Sequence, residues 1–313
     1  MSILYIIIGL VAIGWGADRF TDGAGALARR FRVPEIIIGL TIVGFGTSLP
    51  EFCVSFVAAL EGSADIALGN VVGSNIFNAL LIVGLAALVA PIRVEHSTVM
   101  GDLPFSVMAC AMLAAMSFDG HVSRLDALLL VCVFAVYMLR ALRMARTKHV
   151  EVEDASAAPV RSLVWCLAWL VVGMGCLVVG SRLFVYGATD IARSLGVSEA
   201  IVGLTIAAAG TSLPELATSV TAARKGQAGI ALGNVIGSCV FNVFFVIGVT
   251  GLVAPMSAAG ITTLDLVTMM CSMLLVWGLS FTKHEVSRWE GALLTLLFLG
   301  YMTWLVLHEL GVA

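Results

Sequence analysis

The amino-acid sequence predicts an all-α polytopic membrane protein, with ten transmembrane helices arranged as two inverted five-helix repeats. Three observations carry this expectation. The 313 residues are 60% hydrophobic and only 12% charged, and their mean hydropathy is +1.05. Soluble domains carry about 25% charged residues, and half that fraction cannot clothe a water-facing surface. The chain also contains itself twice, and its basic residues fall on alternate loops.

A bilayer crossing takes about 20 apolar residues, so ten crossings use about two-thirds of this chain. Short loops remain, with no room for a soluble catalytic, regulatory or nucleic-acid-binding module. The start lacks the basic stretch and small-residue cleavage site of a signal peptide, so Ile3 to Phe20 reads as a retained first helix. Apolar segments follow one another near 3–24, 34–59, 66–90, 102–118 and 124–143. A polar stretch comes next, with Arg146, Lys148, Glu151, Glu153, Asp154 and Pro159. Five more segments lie near 162–187, 198–223, 229–253, 263–281 and 289–308. Residues 1–143 thus read as one five-helix repeat, 144–161 as a cytoplasmic linker and 162–313 as the second repeat.

Basic residues set the orientation, because they stay on the cytoplasmic side. Odd-numbered loops hold Arg29, Arg30, Arg32, Arg93, the group from Arg140 to Arg161, Arg224, Lys225, Lys283 and Arg288. Even-numbered loops and the termini hold only Arg124, Arg182 and Arg193, a ratio of thirteen to three with Arg19 unassigned. The odd loops are expected in the cytoplasm and both termini outside, in a multi-pass protein of the plasma (inner) membrane. The net charge of −3 adds nothing to this.

Residues 37–92 align without gaps to 201–256 at an offset of 164, with 31 of 56 positions identical. Gly39-Leu-Thr-Ile-Val-Gly-Phe-Gly-Thr-Ser-Leu-Pro-Glu51 faces Gly203-Leu-Thr-Ile-Ala-Ala-Ala-Gly-Thr-Ser-Leu-Pro-Glu215. Ala67-Leu-Gly-Asn-Val-Val-Gly-Ser-Asn-Ile-Phe-Asn78 faces Ala231-Leu-Gly-Asn-Val-Ile-Gly-Ser-Cys-Val-Phe-Asn242. Weaker matches extend upstream to Gly16 with Gly180, Phe20 with Phe184 and Glu35 with Glu199. Five crossings per copy is an odd number, so the second copy enters from the opposite face. Inverted repeats are an architecture of secondary transporters, with the substrate held near the midplane between the copies.

Glu51 and Glu215 fall near the middle of the second and seventh crossings. An ionisable side chain there costs about 2.5–3.5 kcal/mol on the insertion scale. Ser48-Leu-Pro-Glu51 also fits an S-x-x-E capping box with Pro in the first turn. A cap at this depth means a broken helix, tolerated only against protein or a watery cavity. Pro50 leaves the Gly46 carbonyl without its usual donor. Capping and ion binding are therefore compatible.

Thr47 and Ser48 stand four and three residues before Glu51 and share its face. Asn70, Ser74 and Asn78 form a polar stripe on the third crossing, and Asn234, Ser238 and Asn242 repeat it on the eighth. Gly69 with Gly73, and Gly233 with Gly237, give the GxxxG spacing of close helix approach. Hydroxyls, amides, carboxylates and carbonyls form an all-oxygen set, which suits hard cations such as calcium or sodium. Two ionised glutamates carry −2, a charge that one calcium or two monovalent ions neutralise. A loaded cavity can then reorient while an empty one resists crossing, which enforces exchange.

These motifs closely resemble the two alpha-repeats of the sodium/calcium exchanger family, within the calcium/cation antiporter superfamily. The resemblance covers the ten-helix plan and rests on G-T-S-L-P-E and G-N-x-x-G-S. It implies cation ligands at Thr47, Ser48, Glu51, Ser74 and Asn78, and at Thr211, Ser212, Glu215, Ser238 and Asn242. It implies backbone carbonyls at Gly44 and Ala208, and from Thr47 and Thr211. It further implies that the first and sixth helices slide across a fixed core. Gly9, Gly14, Gly16 and Gly23, with Gly173, Gly175, Gly180 and Gly187, suit a smooth sliding face. Well-known members carry Asp at the position of Asn242 and Asn at that of Cys239. No large insert lies between the halves, as in the compact prokaryotic branch.

A sodium-driven calcium exchanger is the leading expectation, with calcium, sodium and the lipid bilayer as partners. No cofactor and no nucleic acid are expected, and a monomer is the expected state. A proton/calcium exchanger of the same superfamily is the nearest rival. Its members tend to carry an acid where Gly73 and Gly237 stand, although the neutral Asn242 pulls the other way. A passive channel is the next alternative. An intramembrane hydrolase lacks a positioned base, since none of His96, His121, His149, His284 and His308 lies mid-membrane. The protein is therefore expected not to be an enzyme. Cys53, Cys110, Cys132, Cys166, Cys176, Cys239 and Cys271 sit singly in apolar runs and read as buried small hydrophobes. Asp18, Arg19, Asp22 and Asp190 read as interfacial charges. Trp15, Trp165, Trp289 and Trp304 read as belt or packing residues.

Overall fold

The computed structural model describes residues 1–147, 161–195, 197, 202, 205–206, 208–258 and 260–309. The chain runs through α1 (Ser2–Phe31), α2 (Glu35–Thr47), α3 (Leu49–Leu60), α4 (Asp65–Val89), α5 (Thr98–Met116) and α6 (Arg124–Thr147). It continues through α7 (Leu163–Ser194), α8 (Ala208–Thr211), α9 (Leu213–Arg224), α10 (Ala228–Val253), α11 (Thr263–Ser280) and α12 (Arg288–Glu309). Among the described residues, eight helices are long and apolar enough to cross a membrane, or nine with α2 and α3 as one bent crossing. The expected crossing at 198–223 falls partly outside the described residues, with α8 and α9 as its described end. Most of the linker also lies outside them, and α6 runs on to Thr147, into the linker as first bounded.

Sequence explains where the helices stop and bend. α1 ends at Arg32, whose left-handed φ of 54° lets its N–H reach the carbonyls of Ala28 and Arg29, and Pro34 follows. At about 1.5 Å per residue, its 30 residues span about 45 Å. That exceeds a hydrocarbon core of about 30 Å, an excess that is taken up by tilt or by turns running past the core. It also explains why α1 and α7 outrun the sequence-based boundaries. α2 and α3 meet at 43° across Ser48, where Pro50 cannot continue the hydrogen-bond ladder. Side-chain caps start the last helices of each half: Ser123 with Asp126 for α6, and Ser287 with Glu290 for α12.

α4 and α10 form the centre, with most of their apolar stretches buried inside the protein. Gly39 and Gly44 of α2 lie against Gly233 and Gly237 of α10, so the spacing of small residues brings those backbones into contact. α1 and α7 form a second unit beside this centre. A Cβ on Gly16 would sit 2.8 Å from the Gly173 carbonyl, and one on Gly9 would sit 2.7 Å from that of Gly180. Gly23 meets Cys166 and Leu170, and Gly187 meets Ser2 and Ile6. These glycines therefore face the partner helix, not the core. For these six the reading of a glycine-lined sliding face is corrected, since close backbone packing holds α1 to α7, whereas Gly14 and Gly175 meet nothing within 4 Å.

Two short strand pairs join the halves outside the helices. β1 (Ile92–Arg93) pairs antiparallel with β4 (Glu285–Val286), and β2 (His121–Val122) with β3 (Met256–Ser257). Ile92 opposes Val286 and Val122 opposes Met256. Adding or subtracting the offset of 164 converts one pair into the other, register included.

Three cysteines, Cys110, Cys166 and Cys239, are buried as expected, but Cys53, Cys132 and Cys271 are exposed on the helix bundle and Cys176 is half-buried. In a membrane chain an outward thiol is as much at home as a buried one, because both neighbours are apolar. Trp15 and Trp165 both pack edge-on against Trp169, as packing residues do.

Candidate cation site

The site is assembled where the breaks at Ser48 and Ser212 face each other. α3 and α9 each begin with Leu-Pro-Glu, so Glu51 and Glu215 occupy the first turn of a 12-residue helix. Unsatisfied N–H groups there favour an anion by about 0.3–1 kcal/mol. Both glutamates are completely buried, as are Thr47, Ser48, Ser212, Ser238, Asn78 and Asn242, while Ser74 is nearly so.

Neither serine caps its own helix. The Ser48 hydroxyl instead donates to Glu215 Oε1 at 3.0 Å, and the Ser212 hydroxyl donates to Glu51 Oε1 at 3.0 Å. The capping-box expectation is overturned. At a water-facing helix start the carboxylate and hydroxyl close on each other, whereas here each is drawn to the opposite copy. The reciprocal bonds lock the two breaks together and leave each carboxylate with its second oxygen.

The neighbouring hydroxyls extend the array. Ser74 Oγ lies 3.0 Å from Ser212 Oγ, and Thr47 Oγ1 lies 3.3 Å from Ser238 Oγ. Both Thr47 and Ser238 reach the Gly44 carbonyl at 3.4 Å. Thr211 closes α8 and is half-buried. Ala208 opens that same short helix. The Asn242 amide nitrogen donates to Ser74 Oγ at 3.1 Å and to Asn75 Oδ1 at 3.3 Å, which turns its own Oδ1 away. Asn78 and Asn242 both belong to widened π-helical turns, a distortion frequent at functional positions.

Four oxygens are left over. Glu51 Oε2, Glu215 Oε2, Asn78 Oδ1 and Asn242 Oδ1 are buried without a hydrogen-bond partner, as is the Asn78 nitrogen. Buried carboxylate oxygens need a partner, since an unpaired buried charge costs several kcal/mol. An oxygen-only set of this kind fits a hard cation. Among the described residues there is no group of three His, Cys, Asp or Glu side chains. The fit therefore rests on the hydroxyls and amides around two acids.

Asn70 and Asn234 stand apart from the rest of their polar stripes. Asn70 donates to the Glu51 carbonyl and to Ser55 Oγ, at 3.3 and 3.1 Å. Asn234 donates to the Glu215 carbonyl and Ser219 Oγ, at 3.2 and 2.9 Å, and accepts from Thr47 at 2.9 Å. Both tie a central helix to a glutamate-bearing one, so reading each whole stripe as a ligand set is corrected. Sequence reasoning missed Ser55 and Ser219, although their identity in the two copies was a usable signal. It missed Asn75 because its counterpart is Cys239 and the repeat comparison shows nothing there.

The fold and this constellation define a multi-pass membrane transporter, and comparison with known proteins supplies the family. The chain matches the family described as sodium/calcium exchanger protein over residues 1–143 and 165–307, and it belongs to that family. It is 37% identical over 312 residues to a putative antiporter, CaxA, of Alkalimonas amylolytica, covering 96% of this chain and 97% of that one. It is 30% identical over 348 residues to the sodium/calcium exchanger MaX1 of Methanosarcina acetivorans, covering 96% and 97%. Among solved structures it resembles the sodium-calcium exchanger NCX_Mj, soaked with sodium and strontium, with a TM-score of 0.84. That match has 31% identity and covers 96% of this chain and 97% of that one. The chain is thus a compact, prokaryotic-type member of that family.

Proposed function

We propose that this protein exchanges calcium for sodium across the plasma (inner) membrane. The proposed site consists of Thr47, Ser48, Glu51, Ser74 and Asn78 with Thr211, Ser212, Glu215, Ser238 and Asn242, and carbonyls at Gly44 and Ala208. The reciprocal serine–glutamate bonds carry this reading. They bring both acids to one place and leave two carboxylate oxygens free for a cation. With both ionised, the cavity holds −2, and one calcium or two sodium ions return it to neutrality. The neutral Asn242 adds a dipole and no charge. An empty cavity keeps a charge that resists passage through an apolar barrier, which couples the two ions.

The proposed architecture is ten crossings in two inverted copies, residues 1–143 and 162–313, joined by a cytoplasmic linker. The strand pairs support it, because β1 and β4 follow the third and ninth crossings and β2 and β3 lie on even-numbered loops. The odd-numbered loops are assigned to the cytoplasm. Access alternates as α1 and α7 move together along the central helices. The glycine contacts make them one body.

Calcium flux into proteoliposomes tests the exchange. An imposed sodium gradient should drive calcium against its own gradient, and potassium should not replace sodium. If a proton gradient drives it and sodium does not, the related proton/calcium mechanism takes its place. Trapped calcium that fails to accelerate isotopic uptake would indicate a channel.

A further inference from the structure

We propose that Lys225, gripping Asp18 and Asp22, is an ionic latch that shuts one face of the transporter, and that Glu61 and Arg182 form the matching latch of the other face. The proposal rests on the exchange reading only in supposing that α1 and α7 move. Lys225 follows the last residue of α9, and its ammonium lies 2.8 Å from Asp18 Oδ1 and 2.7 Å from Asp22 Oδ1. It also donates to the Asp18 carbonyl at 2.7 Å and to Thr21 Oγ1 at 3.1 Å. Arg19 reinforces the cluster from α1, within 3.6 Å of Asp18 and 3.4 Å of Asp22. Its guanidinium lies over the rings of Trp15 and Trp169, which braces α1 to α7. These acids are thus more than interfacial charges. They fasten the α1–α7 unit to a helix that bears a site glutamate.

The internal offset of 164 carries Asp18 onto Arg182 and Lys225 onto Glu61. Both signs reverse, so the pair remains complementary. Glu61 follows the last residue of α3 with the same backbone geometry that Lys225 has after α9. Yet Glu61 and Arg182 are both exposed and do not meet. α1 packs along α9, whereas α7 does not pack along α3. Between α7 and α3 lies a cavity of about 500 Å³, lined by Cys53, Val54, Arg182, Tyr186 and Thr211. On the latched face Thr218 is 0% exposed, while its counterpart Val54 on the other face is 43% exposed.

One face is therefore packed and latched, and its symmetry mate is open and unlatched. Moving the welded α1–α7 unit along the core exchanges these environments. The Lys225 latch breaks, the Arg182 side chain approaches Glu61, and α7 covers Cys53. The second latch is weaker, because the counterpart of Asp22 is Tyr186 and offers no charge. That difference favours the state with the Lys225 face shut, the state seen here.

The test uses full-length protein in proteoliposomes, with Cys53 as the only cysteine and the other six replaced by alanine. A small charged thiol reagent is supplied to both faces. Lys225→Gln should slow modification of Cys53, by at most about threefold, because losing a partly exposed ion pair shifts the equilibrium by about that factor. Glu61→Gln should leave the rate unchanged or raise it. Lys225→Arg keeps a positive charge between Asp18 and Asp22 and should rescue the wild-type rate. Failure of that rescue assigns the loss to misfolding or packing and overturns the latch. An unchanged rate in Lys225→Gln, or a slower rate in Glu61→Gln, also overturns it. Absence of sodium-dependent calcium flux in the wild-type vesicles would instead defeat the exchange reading, leaving the labelling result to judge the latch by itself.

Discussion

Ser48 and Ser212 reach past their own helices to the glutamate of the other copy. Much of this site was legible in the sequence, because a buried acid in an apolar run, found twice, has few innocent explanations. The crossed bonds were not legible. A local S-x-x-E string looks the same whether its hydroxyl turns inward or across an interface, and only the meeting of α3 with α9 decides it. Glu51→Gln or Glu215→Gln should reduce calcium flux about a hundredfold or more, since each removes one charge of a buried set. The variants should still insert and elute as wild type does on size exclusion. Ser48→Ala and Ser212→Ala should weaken apparent calcium affinity to a similar extent as each other, because each frees one carboxylate oxygen in a near-symmetric setting. Strongly unequal effects in flux titrations would count against a shared site. Asn242→Asp adds a charge where a dipole stands, so sodium dependence or voltage sensitivity of flux should change. No change in either would place residue 242 outside the coupled site.

Helix α1 and its partner α7 show how small residues build an element-scale interface. In lipid no hydrophobic force drives helices together, so close backbone packing has to do so. The sequence displayed the glycines but not their facing, because a smooth stripe suits a moving contact and a fixed one alike. Geometry separates them. A Cβ on Gly173 would lie 2.6 Å from the Phe20 nitrogen, whereas at Gly14 and Gly175 nothing lies within 4 Å. Gly173→Val should cost about 1–3 kcal/mol, the usual range for overpacking. Gly175→Ala should be neutral or stabilise by up to about 1 kcal/mol. Thermal melts in detergent check both. Equal melting temperatures for the two variants would mean that α1 and α7 are not held together by this contact.

The molecule as a whole is two copies of one design, and the strand pairs are where that symmetry can be tested from outside. Loop parity came from the sequence through its basic residues, but which loops touch depends on the folding of helices between them and could not be read there. β1 meets β4 and β2 meets β3. In an inverted arrangement the residues at 93 and 285 share one side of the membrane, while those at 121 and 257 share the other. A parallel duplication would instead put 93 and 257, which are equivalent positions, on the same side. Single cysteines at Arg93, His121, Ser257 and Glu285 distinguish these cases in intact cells with a membrane-impermeant thiol reagent. His121→Cys and Ser257→Cys should react from outside. Arg93→Cys and Glu285→Cys should react only after the membrane is opened. Paired cysteines at 93 and 285, or at 121 and 257, should also cross-link, because each pair is in register across two strands. Reaction of 93 and 257 from one face would overturn the inverted arrangement, and with it the reason for two acids to meet halfway across the membrane.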